Sequence, residues 1–333
     1  MIEAVRKAEL AGIDSLWVSE TPFSWDSYTI LGTLAAVTSK ASLGPGVTNP
    51  YIRHPHHLTM SAMTLDRISE GRSFLGIGRS VTGWYSGWLG LETGDPVTVM
   101  RNTLLRLRDL WKERNNVLKH QGFSLISQRS YPVEVRPRCP VYIAAVGPKM
   151  IDVAIELGDG LIFSWPTMEF LERTIPIVKA SLARQGRDPG KFRFVVQTGF
   201  EVTTSKANVL ENMKTKMSHI YRFEGIARAF WSNRYDVEKI SLDLRKNYSG
   251  TMDIVNSTSN CNTDRLAQLE TIRKIIPTNL VQEVGFIGRI DEIKKKLELY
   301  QIMGVTDMFV TPPQIDETAE DYELFVNQLN GKT

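Results

Sequence analysis

Apolar residues return every three positions at Ile2, Val5 and Ala8, which predicts an amphipathic helix over residues 2–12 that is stopped by Gly12. The next apolar run is short, Ser15-Leu-Trp-Val-Ser19, and has the length of a strand. The same alternation continues along the chain. Strands are predicted over 43–48, 73–78, 141–145, 160–164, 192–202 and 306–311. Helices are predicted over 28–39, 55–68, 97–112, 148–157, 168–185, 291–303 and 319–329. Pro55 and Pro148 each stand at a predicted helix start, where a missing N–H costs no intrahelical bond.

Repeated strand and helix units predict a parallel sheet covered by helices, and their number favours a closed (β/α)8 TIM barrel over an open doubly wound sheet. Seven strands are read where closure of that barrel calls for about eight. The chain opens on a helix, so the first barrel strand is the one missing from this reading. Residues 205–283 do not follow the alternation. Scattered aromatics (Tyr221, Phe223, Phe230, Trp231, Tyr235) and a polar stretch over 256–263 predict a helical insertion with a loop. The expected organisation is one barrel domain over 1–333 carrying that insertion.

Composition narrows the function classes. Of the 333 residues, 42% are hydrophobic, enough for a large core, and 40 basic against 37 acidic side chains leave a formal charge of only +3. The charges are mixed, with no basic block to follow a phosphate backbone, so nucleic acid is not an expected partner. The two cysteines, Cys139 and Cys261, are far apart and lack metal-ligand spacing, which fits a reducing cytoplasm. The start is charged where a secretory peptide would be apolar, and no run approaches the roughly 20 apolar residues of a membrane span. The expectation is a cytoplasmic protein with a small-molecule substrate, assembling as a homodimer.

In a parallel barrel the chemistry lies at the carboxyl ends of the strands, which singles out 20–21, 46–49, 78–80, 144–149, 164–165, 197–199 and Thr311. Ala144-Ala-Val-Gly-Pro-Lys149 joins small residues to a helix start, where backbone N–H groups can converge on an anion; an ordinary tight turn explains the same residues equally well. Leu75-Gly-Ile-Gly78 lacks the third glycine of a dinucleotide fingerprint. His54 and His56 straddle Pro55 without a carboxylate cluster, so capping is favoured over a metal site. Glu20 is the candidate catalytic group: a carboxylate at a strand end that can act as an acid, orient a ring, or pair with Arg53. Asp26 reads as a helix cap. The aromatic stretch 84–89 is a lid over a planar ligand or packing for the rim. Neither a Gly-x-Ser-x-Gly elbow nor a Cys/His pair is present, which disfavours a covalent hydrolase.

Four segments, LGPGVTNPYIRHP, TLDRISEGRSFLGIG, PVYIAAVGPKM and IELGDGLIFS, resemble in order and spacing the luciferase-like superfamily of flavin and deazaflavin oxidoreductases. Within it, the resemblance is to the branch of the coenzyme F420-dependent methylenetetrahydromethanopterin reductases, over about 2–187 and 284–312. The resemblance implies hydride transfer between a deazaflavin and a small organic substrate, with an FMN-dependent monooxygenase as the alternative and a non-catalytic ligand-binding barrel as a second. It implies a non-proline cis peptide between Gly46 and Val47 at the back of the ring, with Thr48 and Asn49 beside it. Ala144, Ala145, Val146 and Gly147 resemble the backbone that holds the cofactor phosphate, and Pro148 and Lys149 complete that turn. Many relatives carry Asp-His where Glu20-Thr21 stands here. Arg79 and Ser80 replace small residues, placed to crowd the phosphate or to bind it.

Overall fold

The computed structural model describes residues 2–21, 25–121, 139–203, 207–247, 263–311 and 327. Their backbone groups into two compact units, one formed by Met1–Ala145, Lys149–Leu161 and Thr318–Thr333, the other by Val146–Pro148 and Ile162–Glu317.

The first unit opens with helix Ile2–Ala11, which buries Ala8 and Ala11. Its Glu9 carboxylate accepts the backbone N–H groups of Ser39, Lys40 and Ala41 at 2.8 to 3.0 Å, tying this helix to the turn that leads into the second strand. Strand β1 (Ser15–Val18) and strand β2 (Ser42–Pro45) run parallel, in register from Ser15↔Ser42 to Val18↔Pro45. Helix Ser27–Val37 joins them, its first turn closed by Asp26 Oδ1, which accepts Thr29 N–H at 2.7 Å. Leu31, Leu34, Ala35, Leu43 and Leu65 form the core between this helix and the strands, with Val5, Leu16 and Val18 packed against it. Buried aliphatic residues of this kind contribute roughly 1.5 to 3 kcal/mol each, the main local driving force. Among the described residues, β1 has one ladder neighbour, β2.

Strand β3 (Leu75–Gly78) pairs in parallel with β4 (Val141–Ala144), from Leu75↔Val141 to Gly78↔Ala144. Between β2 and β3 the ladder is interrupted. Single bridges hold Leu43 to Ser73 and Thr48 to Ile77, and the chain bulges between them. Glycine is required where the two segments touch: a Cβ at Gly44 would collide with the Phe74 carbonyl, and one at Gly76 with the Pro45 carbonyl. The helices that follow are Pro55–Ile68, Thr82–Leu89, Pro96–Gln121 and Pro148–Leu157.

The division between the units falls inside strand β5 (Gly160–Ser164). In the second unit, the ten-residue strand β6 (Arg193–Val202) serves two partners. Its first half pairs with β8 (Asp307–Thr311) from Val195↔Asp307 to Gly199↔Thr311; its end pairs with β7 (Phe286–Gly288) from Phe200↔Phe286 to Val202↔Gly288. Helix Met168–Arg184 follows β5, and helix Ile290–Met303 precedes β8. The insertion contributes helices Ala207–Tyr221, Glu224–Ala229, Val237–Asn247, Thr263–Ile275 and Thr278–Val284. It is bound to the strands by polar contacts: Tyr221 Oη donates to Trp165 O at 3.0 Å, and Thr198 Oγ1 to Val284 O at 2.8 Å.

Two features depart from the sequence reading. Eight strands are present among the described residues, because Phe286–Gly288 forms a short strand against the far end of β6, where its Phe286 ring stacks on Phe200 at 5.9 Å. The stretch 84–89, expected as an aromatic lid or rim, lies within helix Thr82–Leu89, ended by Gly90 in the left-handed region at φ 63°. The predicted helix over 319–329 falls outside the described residues except for residue 327, and the polar stretch over 256–263, with Cys261, falls outside them except for Thr263, which opens helix Thr263–Ile275. No helix among the described residues is long and apolar enough to cross a membrane.

Candidate functional site at the ends of β1, β2 and β3

Glu20 lies two residues past β1 and is 6% exposed. Its carboxylate accepts from Ser27 Oγ at 2.8 Å, from Thr48 Oγ1, and from Arg53, whose Nε stands 2.9 Å from both oxygens and whose Nη2 is 2.5 Å from Oε1. Arg53 also bonds Asp26, the residue that caps helix Ser27–Val37, and its guanidinium lies 5.0 Å from the centre of the Tyr28 ring. Burial by itself pushes the Glu20 carboxyl up; the hydrogen bonds from Arg53 and Thr48, the Arg53 charge and the Ser27 hydroxyl outweigh it, and the group ends below its ordinary value. The hydrogen bond to Glu20 raises Arg53 above its own ordinary value. Of the three roles read for Glu20, pairing with Arg53 is the one seen directly. A carboxylate supplied with this many donors is a charged acceptor that fixes the Thr48 hydroxyl.

The bulge after β2 is held from both sides. The peptide between Gly46 and Val47 is cis. Gly46 N–H donates to Val18 O at 2.9 Å, and Thr48 exchanges backbone bonds with β3, its N–H to Gly76 O at 3.0 Å and its C=O from Gly78 N–H at 2.9 Å. The Val47 side chain occupies the space left open by glycine on β3: a Cβ at Gly78 would lie 2.9 Å from Val47 Cγ2 and 3.0 Å from Ala144 Cβ. Thr48 and Asn49 are buried, so their polar groups are directed by the protein. Asn49 Oδ1 accepts from the N–H groups of Tyr51 and Ile52, while its Nδ2 donates to Tyr85 Oη at 2.9 Å. Tyr85, fully buried on helix Thr82–Leu89, donates in turn to Ser80 Oγ at 3.0 Å. Burial raises the Tyr85 phenol above its ordinary value, so it keeps its proton.

Past β4, Ala145 is buried, Ala144, Val146 and Gly147 are half-buried, and Pro148 and Lys149 are exposed at the start of helix Pro148–Leu157. A Cβ on Gly147 would meet nothing within 4 Å. The turn is therefore open, with small side chains and a ten-residue helix behind it, which suits a phosphate. Arg79 is exposed, one residue past the Gly78↔Ala144 pair.

The remaining candidates have plain structural roles. His54 caps helix Pro55–Ile68, its Nδ1 accepting from His56 N–H at 3.3 Å, and the two rings stack at 5.5 Å. Among the described residues, no three His, Cys, Asp or Glu side chains cluster as metal ligands. The sequence reading did not single out Tyr85 as a contributor to the site. It sits inside the aromatic stretch, and only its bond to Asn49, 36 positions away, gives it a role.

A family model for luciferase-like monooxygenases matches residues 1–307. A Mycobacterium tuberculosis protein named as a candidate coenzyme F420-dependent oxidoreductase is 26% identical over 331 residues, covering 96% of this chain and 92% of that protein. The 5,10-methylenetetrahydromethanopterin reductase of Archaeoglobus fulgidus is 32% identical over 200 residues, 60% of this chain and 59% of its own length. Among solved structures, the coenzyme F420 dependent tetrahydromethanopterin reductase from Methanopyrus kandleri superposes with a TM-score of 0.70 at 20% identity, covering 99% of this chain and 94% of that one. A long-chain alkane monooxygenase superposes at 0.63 with 13% identity, over 99% of this chain and 84% of the other. These likenesses assign the α/β fold of the luciferase-like barrels.

Proposed function

Since the chain belongs to the luciferase-like monooxygenase family, we propose that it is a coenzyme F420-dependent oxidoreductase that moves a hydride between the deazaflavin and a small organic substrate, in the manner of a methylenetetrahydromethanopterin reductase. The F420 dependence named for the Mycobacterium tuberculosis relative and for the Methanopyrus kandleri reductase supports the choice of cofactor. The observation that carries the reading is the pair of directed polar sets at the ends of β1 to β3, Thr48 with Glu20 and Asn49 with Tyr85 and Ser80, joined through the Thr48–Asn49 peptide.

The cofactor supplies the hydride chemistry when bound. The chain's own residues then have to position and shield it. Val47, Thr48 and Asn49 form the backing of the ring. Glu20, held charged by Arg53, fixes the hydroxyl direction of Thr48. The open turn at Ala144, Ala145, Val146, Gly147, Pro148 and Lys149 takes the phosphate, with Arg79 as a nearby cation. A hydride acceptor needs no protein nucleophile, and Glu20 serves as a positioning group.

Fluorescence titration of the purified chain with F420 and with FMN tests this. The expected result is saturable binding of F420 at lower concentration than FMN. Tight FMN binding without F420 binding would replace the reading with an FMN-dependent monooxygenase, and binding of neither would leave a non-catalytic barrel.

A further inference from the structure

The hydrogen bonds running from Asn49 to Ser80 have a fixed direction, and that direction determines what Ser80 offers to a ligand. Asn49 is 1% exposed, and its Oδ1 is committed to two backbone donors, Tyr51 N–H at 3.0 Å and Ile52 N–H at 3.2 Å. The amide therefore has to turn its Nδ2, which can only donate, toward Tyr85. Tyr85 Oη receives that bond and, having no exposure to water, gives its own proton to Ser80 Oγ. One lone pair of Ser80 is thereby occupied, and among the described residues no acceptor takes its proton. Accepting a hydrogen bond also polarises the O–H that remains, which strengthens it as a donor.

Ser80 is placed to use this. It lies two residues past Gly78, the last residue of β3, which pairs with Ala144. It is half-buried, follows the exposed cation Arg79, and is held at φ 53°, a conformation uncommon for a residue with a side chain.

We propose that Ser80 is a cofactor-binding hydrogen-bond donor, which gives its proton to an acceptor oxygen of the bound cofactor, and that Tyr85 and Asn49 are positioning residues acting through it. The inference rests on the cofactor reading above. F420 and FMN each carry two acceptor sources, phosphoryl oxygens and ring carbonyls, and the free Ser80 proton can serve either kind.

The test measures dissociation constants of wild type, Ser80→Ala, Tyr85→Phe and the double variant for F420, FMN and the phosphate-free 5-deazariboflavin and riboflavin, with thermal melts to establish folding. Ser80→Ala is expected to weaken F420 binding by about 5- to 20-fold, the range of one hydrogen bond to a polar or charged acceptor. Tyr85→Phe is expected to weaken it by less, and the double variant no further than Ser80→Ala alone, because Tyr85 acts only through Ser80. A loss confined to the phosphorylated probes places the acceptor on the phosphate; an equal loss with the phosphate-free probes places it on the ring. If Ser80→Ala does not fold, Ser80→Gly, which suits the positive φ, removes the same hydroxyl and carries the same expectation. Binding within twofold of wild type for all four probes, or fully additive losses in the double variant, would overturn the role of Ser80 while leaving the cofactor reading standing. A wild-type chain that binds none of the probes would overturn both.

Discussion

Arg53 grips Glu20 with its Nε 2.9 Å from each carboxylate oxygen, and with the same guanidinium it reaches the cap of the next helix at Asp26. This one side chain ties together the end of β1, the start of helix Ser27–Val37 and the segment after the β2 bulge. The Glu20 side chain is 4% exposed and that of Arg53 17%, so the carboxylate has almost no water to fall back on.

Arg53→Gln is therefore expected to destabilise the chain by about 3 kcal/mol or more, since it strands a buried carboxylate. Arg53→Lys, which keeps the charge but loses the fork, is expected to fall in between. The urea midpoint of each variant checks the order.

The same pair predicts an acid limb in the stability profile. The Glu20 carboxyl is lowered from its ordinary 4.5, so the folded state binds its proton less readily than the unfolded state. Its stabilising contribution is complete above about 4.5 and is lost as pH falls below that, through the folded value. Chemical denaturation across pH 2 to 7 is expected to show this loss, and Glu20→Gln to flatten it (~1 kcal/mol per pH unit for one proton).

Glu9 makes a similar prediction without touching the site. Its carboxylate accepts three consecutive backbone N–H groups, and although burial pushes it up, those bonds to Ala41, Lys40 and Ser39 and the Arg72 charge hold it below its ordinary value. Glu9→Ala is expected to cost about 1 to 2 kcal/mol and to leave F420 affinity unchanged. Thermal melts and a cofactor titration on the same sample check both halves.

Gly147→Asp separates phosphate recognition from folding. A Cβ there meets nothing within 4 Å and the backbone is not in the left-handed region, so the variant is expected to melt with the wild type. A carboxylate in that turn repels a phosphate, so F420 and FMN are expected to bind at least about tenfold more weakly, with their phosphate-free forms unaffected. Equal affinity for F420 in the two proteins would place the phosphate elsewhere.

The strands and most helices were readable because each depends on local pattern: buried apolar runs such as Leu161 to Phe163, and a proline or glycine at the boundary. His54 as a cap and Arg53 as the partner of Glu20 were within reach for the same reason, since residue type and strand-end position limit the choices. Strand β7 was not, because three residues just past the helical insertion show no period and acquire strand geometry only from the end of β6. Helix Thr82–Leu89 was obscured by its own two glycines and three aromatics. The polar link from Asn49 through Tyr85 to Ser80 joins residues separated by up to 36 positions, and no local signal encodes it.

A crystal structure of the chain with F420 bound would show where the ring and the phosphate lie. The deazaflavin ring is expected against Val47, backed by Thr48 and Asn49, with its phosphate at the turn before Pro148. A ring bound away from the β2 bulge, with that turn left unliganded, would contradict this placement.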